Sequence, residues 1–412
     1  MPEEILRLAA DFPPVATADW EAAIRADLKG ADYEKRLVWR TEEGLAVRPY
    51  YRAADVAGLP PFPAREAGHV WEIAEEIPEG PDVVRVDALH AQGAHAVQEL
   101  AGAIAMAGGK PHLRVVFAIG PYYFLEIAKF RAARLLLPDP ARIVGVTPLR
   151  NKSVCDRDTN LLRVTTEAMS AVLGGCDTVV IQPFGFDPRL AVNIQRILKE
   201  EAHLDAVADA AGGSYYIESL TAMLAREAAK AGSPAPEAVA QTRAARETAV
   251  ALRRRTLVGV NNYPNLMEKA PGFEAPADGR LAAPFEAIRR RTAAMKRPPR
   301  VLLLTRGDLK MRTARANFCL NFFGCAGFEI EPSGELNDAA DLIVLCSSDP
   351  EYLALANEIC PRTSVPVLVA GNPKDQIEAL RAAGVQGFVH IQSDAVKTLT
   401  EWQERIARRS QL

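Results

Sequence analysis

Four things are scarce in this sequence, and each scarcity excludes a class of protein. The six cysteines, at positions 155, 176, 319, 325, 346 and 360, are scattered and form no CxxC pair, so they outline neither a disulfide framework nor a zinc site. The formal charge of -3 over 412 residues gives no electrostatic reason to expect nucleic acid or an anionic membrane as partner. No apolar run approaches the ~20 residues that span a bilayer. The start, Met1-Pro2-Glu3-Glu4, is acidic where a secretory signal would be basic and then apolar, and no P-loop occurs. Reduced thiols and a cytoplasmic location are the expectation.

What is present is ordinary globular material, 49% hydrophobic and 25% charged, enough for two or three domains. Residues 1–58 read as a polar, helical arm with Trp20, Trp39, Tyr50 and Tyr51, aromatics suited either to an interface or to local packing. The segment Gly58-Leu59-Pro60-Pro61-Phe62-Pro63 breaks the pattern. From 59 to 249, near-continuous apolar runs at 83–86, 113–119, 143–146 and 178–181 alternate with helical stretches, the pattern of parallel strands buried on both faces. A helix starting at Asp187-Pro188 is expected to carry Leu190, Ile194 and Ile197 on one side. Four or five βα units are too few for a closed eight-fold barrel of ~250 residues, so an incomplete βα barrel of the TIM type is predicted. Residues 250–299 read as a linker, with Arg289-Arg290-Arg291 on a solvated helix face. Residues 300–412 carry five strand runs, as in a flavodoxin-like doubly wound domain with its crevice at the carboxyl ends of the strands.

Several long segments resemble methylmalonyl-CoA mutases. They include Phe124-Leu125-Glu126-Ile127-Ala128-Lys129-Phe130-Arg131, Asn160-Leu161-Leu162-Arg163-Val164-Thr165-Thr166-Glu167-Ala168, Ile194-Gln195-Arg196-Ile197-Leu198-Lys199-Glu200-Glu201, and Gly212-Gly213-Ser214-Tyr215-Tyr216-Ile217-Glu218. Phe12-Pro13-Pro14 and Leu28-Lys29-Gly30-Ala31-Asp32-Tyr33 are similar to the family's N-terminal arm. The resemblance covers nearly the whole chain and is closest to a shortened small subunit. It implies a substrate barrel followed by a cobalamin-binding-type domain, and a heterodimer with an active large subunit that holds adenosylcobalamin. The family also works with a G-protein chaperone, a further expected partner.

The family's Asp-x-His-x-x-Gly, whose His donates to cobalt, is matched here by Asp308-Leu309-Lys310-Met311-Arg312-Thr313. An ammonium has no lone pair, and deprotonating a lysine at pH 7 costs about 4.6 kcal/mol. Thr313 stands where the family has Gly. The family's Ser-x-Leu reads Ser347-Ser348-Asp349, and its Gly-Gly reads Gly371-Asn372. The motif is degenerate, so no cofactor is expected in this chain. Asp308 reads equally as a helix N-cap.

The barrel's catalytic segments also lack counterparts. Aligned on Gly93-Ala94, Ala88 falls at the position of the family's catalytic His. Asp87, His90 and His95 lie nearby, each with a structural reading beside a catalytic one. His203 reads as a helix-end residue, and His69, His112 and His390 show no metal-ligand spacing. An incomplete barrel exposes strand edges and apolar faces and cannot exclude water as radical chemistry needs. The expectation is a chain without catalytic residues, structural in role. The alternatives are a stand-alone acyl-CoA-binding enzyme and an adaptor for the chaperone.

Overall fold

The computed structural model describes residues 11–63, 70–108, 110, 112–268, 270, 272–274, 279–337 and 339–409. His69 and the extreme N-terminus lie outside them. The arm holds helices α1 (Thr17–Asp27), α2 (Tyr33–Leu37) and α3 (Ala53–Val56), and also a short antiparallel pair, β1 (Trp39–Arg40) with β2 (Ala46–Val47), which the helical reading missed.

The next part contains β3 (Glu72–Ala74), β4 (Val83–Arg85), α4 (Asp87–Gln92), α5 (Ala96–Ala107), β5 (Arg114–Ala118), α6 (Tyr123–Leu136), β6 (Arg142–Val146), α7 (Thr159–Leu173), β7 (Thr178–Val180), α8 (Pro188–Arg196), α9 (Tyr215–Ala231) and α10 (Pro236–Ala251). Its strands form one parallel sheet in the order β3-β7-β6-β5-β4. The first strand in sequence therefore lies beside the last. β3 is only three residues long and too polar for its periodicity to stand out. Asp187 caps α8 by accepting from the Arg189 amide, and a π-helical turn at Ile197–Glu201 ends that helix. His203 lies beyond it, exposed and with positive φ, not within the helix.

On one face of this sheet Val84, Val115, Phe117, Ile143 and Val179 meet Leu100 of α5, Ala128 of α6, Val164 and Ala168 of α7, and Leu220 and Leu224 of α9. On the other face Val116, Val144, Val146 and Val180, each at most 1% exposed, meet Ala74, Ile77 and Val83. Ala74 and Val83 are the facing ends of β3 and β4, and Ile77 belongs to the connection 75–82 between them. The connection joins strands at opposite edges of the sheet, about 19 Å apart at ordinary strand spacing, a distance eight extended residues can span.

The last part contains α11 (Ala283–Ala293), β8 (Arg300–Thr305), α12 (Leu309–Gly324), β9 (Glu329–Ser333), β10 (Leu342–Cys346), α13 (Tyr352–Ile359), β11 (Val367–Ala370), α14 (Ile377–Ala382), β12 (Gly387–Val389) and α15 (Ala395–Arg409). The sheet order β12-β11-β10-β8-β9 is parallel throughout. Val301 and Leu303 face α12 and α15, whereas Leu302 and Leu304 face α13 and α14. Alternate residues of one strand thus enter two cores, and helices cover both faces. α11 packs on α15, and the solvated-face expectation fails at Arg289. This side chain is 2% exposed, lies 3.1 Å from a Glu268 carboxylate oxygen and donates to the Glu268 carbonyl. Arg291 donates to Gln403 of α15.

Candidate functional site

Both sheets end their strands in loops that gather polar side chains, and these strand ends are where parallel α/β proteins place their chemistry. In the second sheet the order reverses between β8 and β10, so the crevice lies between the loops 306–308 and 347–351. Asp308 caps α12, its Oδ1 accepting from the Met311 amide at 2.8 Å, as its N-cap reading required. Lys310 is exposed on the first turn. Thr313, also exposed, turns its hydroxyl back onto the Leu309 carbonyl. The three motif residues therefore converge on nothing.

Other side chains occupy the crevice. Glu351 Oε2 lies 2.7 Å from Ser347 Oγ and 2.5 Å from Ser348 Oγ, and accepts from the backbone amides of Ser348 and Asp308. These donors hold the Glu351 carboxyl down at about 2, the two serine hydroxyls contributing most. A Cβ on Gly307 would fall 2.2 Å from that oxygen, and Gly307 has φ +80, so only glycine permits the approach. Beside it Arg315 donates to Asp349 at 3.1 Å. The Arg315–Asp349 pair and the Tyr352 ring come within 3.4–3.5 Å of the Cβ position of Gly371. Tyr352 is fully buried and donates to the Ala370 carbonyl at 2.6 Å. Sequence reasoning missed Glu351 and Arg315, although Ser348-x-x-Glu351 is a capping-box pattern legible in the sequence.

At the strand ends of the first sheet, Ala88 is exposed on α4. Asp87 pairs with Arg85. His95 caps α5, accepting from the Gln98 amide. Only His90 enters the interior, its Nδ1 2.7 Å from Glu99 Oε1. Since the carboxylate accepts, Nδ1 carries the proton. Burial lowers the His90 pKa despite Glu99, so the ring is neutral. Lys129 lies 3.4 Å from Glu99 and 2.6 Å from Glu126 and donates to the Ala118 carbonyl at 2.6 Å. Burial followed by the Glu99 charge raises Glu126 to about 7 against the pull of Lys129. For Glu99 itself burial acts upward, but Lys129 and His90 outweigh it and the net direction is down. A second buried pair, Lys152–Glu167 with two 2.8 Å contacts, is completed by Asn151.

These groups bind one another, and every carboxylate among them has a cation or amide within reach. His112 is exposed, and His390 Nδ1 accepts from the Gln392 amide. Among the described residues no cluster of three or more His, Cys, Asp or Glu could hold a metal. None of their helices is long and apolar enough to cross a membrane. Among the described residues the six cysteines form no disulfide.

Two parallel sheets, each with a polar strand-end crevice, define a two-unit α/β protein, and comparison with known proteins places it further. The methylmalonyl-CoA mutase family profile matches residues 81–278, starting where the 75–82 connection ends. The Porphyromonas gingivalis protein named methylmalonyl-CoA mutase small subunit is 28% identical over 624 aligned positions, covering 99% of this chain and 100% of that one. The probable small subunit of Mycobacterium tuberculosis is 33% identical, covering 72% of this chain and 57% of its own length. The small subunit of Streptomyces virginiae is 31% identical, with 78% and 64% covered. This chain is a small-subunit-like protein of the methylmalonyl-CoA mutase family. It spans less than two thirds of the mycobacterial and streptomycete relatives. An alignment of 624 positions against 412 residues leaves at least 212 positions without a counterpart here.

Proposed function

We propose that this chain is a non-catalytic subunit of a heterodimeric adenosylcobalamin-dependent methylmalonyl-CoA mutase, whose large subunit holds the cofactor and interconverts methylmalonyl-CoA and succinyl-CoA. The observation that carries the reading is the 75–82 connection. It lies on the sheet face that a closed barrel would turn inward, and Ile77 fills the space against Val116, Val144, Val146 and Val180. The order β3-β7-β6-β5-β4 supports a TIM-type barrel with an internal deletion. Its first and last strands are neighbours, as in a closed barrel, and the strands that would complete the ring are replaced by eight residues. The alignment gap and the profile's start at 81 agree with such a deletion.

The second sheet has the flavodoxin-like order 2-1-3-4-5 when its strands are numbered within the domain. Its crevice does not suit a corrin. An ammonium stands in the ligand position at Lys310. Glu351 rests on Gly307, and the Arg315–Asp349 pair and Tyr352 crowd Gly371. Among the described residues we find no acid, base or nucleophile set free for acyl-CoA chemistry, which disfavours a stand-alone enzyme. The unpaired outer edges of β3 and β4, with exposed Trp20, Trp39, Phe124 and Tyr215, suit a cytoplasmic protein with a large partner.

The test is expression of the chain alone and with its cognate large subunit, followed by size exclusion, cobalamin absorbance and mutase assay. A colourless, inactive chain that forms an active heterodimer with one cobalamin per pair is expected. Cobalamin binding or acyl-CoA turnover by the chain alone would overturn the proposal. Capture of the G-protein chaperone without the large subunit would point to an adaptor instead.

A further inference from the structure

A cavity of about 20 Å³ at the strand ends of the first sheet is lined by three arginines, Arg150, Arg246 and Arg255, and three glutamates, Glu43, Glu99 and Glu126, among others. That is room for one water-sized occupant. Arg150 is 4% exposed. Its Nη1 donates to the Gly279 carbonyl at 2.8 Å, with the Ala91 carbonyl at 3.5 Å. Its Nε and Nη2 are buried and have no hydrogen-bond partner. These two groups form one edge of the guanidinium, the edge that elsewhere grips an anion with two parallel N–H donors. One donor edge of a buried cation thus lacks a hydrogen-bond partner, in a residue that lines a cavity.

The charges around it do not settle the account. The Glu247 carboxylate is 4.0 Å from Nη2 and is engaged by Arg243 at 2.8 Å. Glu99 and Glu126 are taken by His90 and Lys129. Arg246 and Arg255 share Glu42. Burial, followed by the neighbouring Arg246, lowers Arg150 to about 10, the direction expected of a cation short of counter-charge.

We propose that this cavity binds a small monovalent anion, a halide such as chloride, held by the Nε–Nη2 edge of Arg150. The size of the space admits a single atom in preference to a phosphate or an acyl group. A neutral water would satisfy the two donors but leave the charge to Glu247 alone, 4.0 Å away and shared with Arg243. The site does not depend on the pairing of this chain with a larger subunit, nor on the absence of cobalamin.

Two measurements on the full chain test it. Crystals grown with bromide should show an anomalous peak beside Arg150 Nε and Nη2. Thermal unfolding should show a Tm higher by about 2–4 °C in sodium chloride than in sodium gluconate at equal ionic strength, from binding to the folded state alone. Arg150→Gln should abolish that difference. Arg150→Lys, which keeps the charge but not the fork, should shrink it. Absence of bromide at Arg150, or the same chloride increment in wild type and Arg150→Gln, would mean ordered water only and overturn the proposal. Should the Gln variant fail to fold, the bromide experiment on the wild type still decides.

Discussion

The two sheets of this protein face the same physical problem with different means. Each is parallel, with apolar side chains on both faces, and a parallel sheet must be covered on both. The second sheet covers itself by alternation, α12 and α15 on one side and α13 and α14 on the other. The first has helices on one side and, among the described residues, Ile77 of one connection with Ala74 and Val83 on the other. The doubly wound unit is therefore self-sufficient. In the first unit the burial of four valines rests on a segment whose other residues, Glu75, Glu76, Pro78, Glu79, Gly80, Pro81 and Asp82, bring little apolar surface. The strand-end loops differ in the same sense. The first unit is stapled by buried ion pairs, and the second by hydroxyls and a carboxylate near solvent.

The sharpest way to break this comparison is at the buried pairs. Lys152→Met strips Glu167 of its cation and leaves a carboxylate fully buried. Loss of one member of a buried pair costs about 3–5 kcal/mol, and denaturant unfolding should show a loss of that size. Next comes the connection. Ile77→Asp would place a carboxylate against Val116, Val144, Val146 and Val180, at a cost of about 2–4 kcal/mol. Binding of a hydrophobic dye should rise with it, since Ile77 is the apolar side chain that the connection lays on that face. If neither stability nor dye binding changes, the connection is not what closes that face.

In the second unit a comparable deletion is milder. Tyr352→Phe removes one hydroxyl that donates to Ala370 and accepts from the Ser347 amide, for about 1 kcal/mol. The smallest effect is at the crevice mouth and depends on pH. Glu351 is depressed to about 2 from the usual 4.5. Its contribution is therefore complete above pH 4.5 and lost as the pH falls toward 2. Glu351→Gln should lower stability at pH 6 and flatten its decline between pH 4.5 and 2.5. A variant whose acid profile parallels that of the wild type would show that Glu351 does not hold the loops together.

Much of the fold was legible because parallel strands buried on both faces write long apolar runs. Those at 83–86, 113–119, 143–146, 178–181 and the five in the last part all fell on strands. β3 and the β1–β2 pair escaped, being two or three residues long and polar. Of the site, the N-cap at Asp308 could be read directly. His90 could not be assigned, because its partner Glu99 lies one element further on. The Arg289-Arg290-Arg291 run was misread because Glu268, which meets Arg289, lies 21 residues away in an irregular segment. Pairing across such distances leaves no periodicity.

By itself the sequence determined the α/β class and the kinship with mutase small subunits, since these rest on residue identity and local pattern. The tertiary structure alone decided that residues 75–82 cross the bare face of the first sheet. It also decided that Glu351 gathers Ser347, Ser348 and the Asp308 amide at the strand ends of the second and that Arg150 is buried with two donors that lack a hydrogen-bond partner. These are matters of where distant segments meet and of what solvent is denied, and no local spacing encodes them.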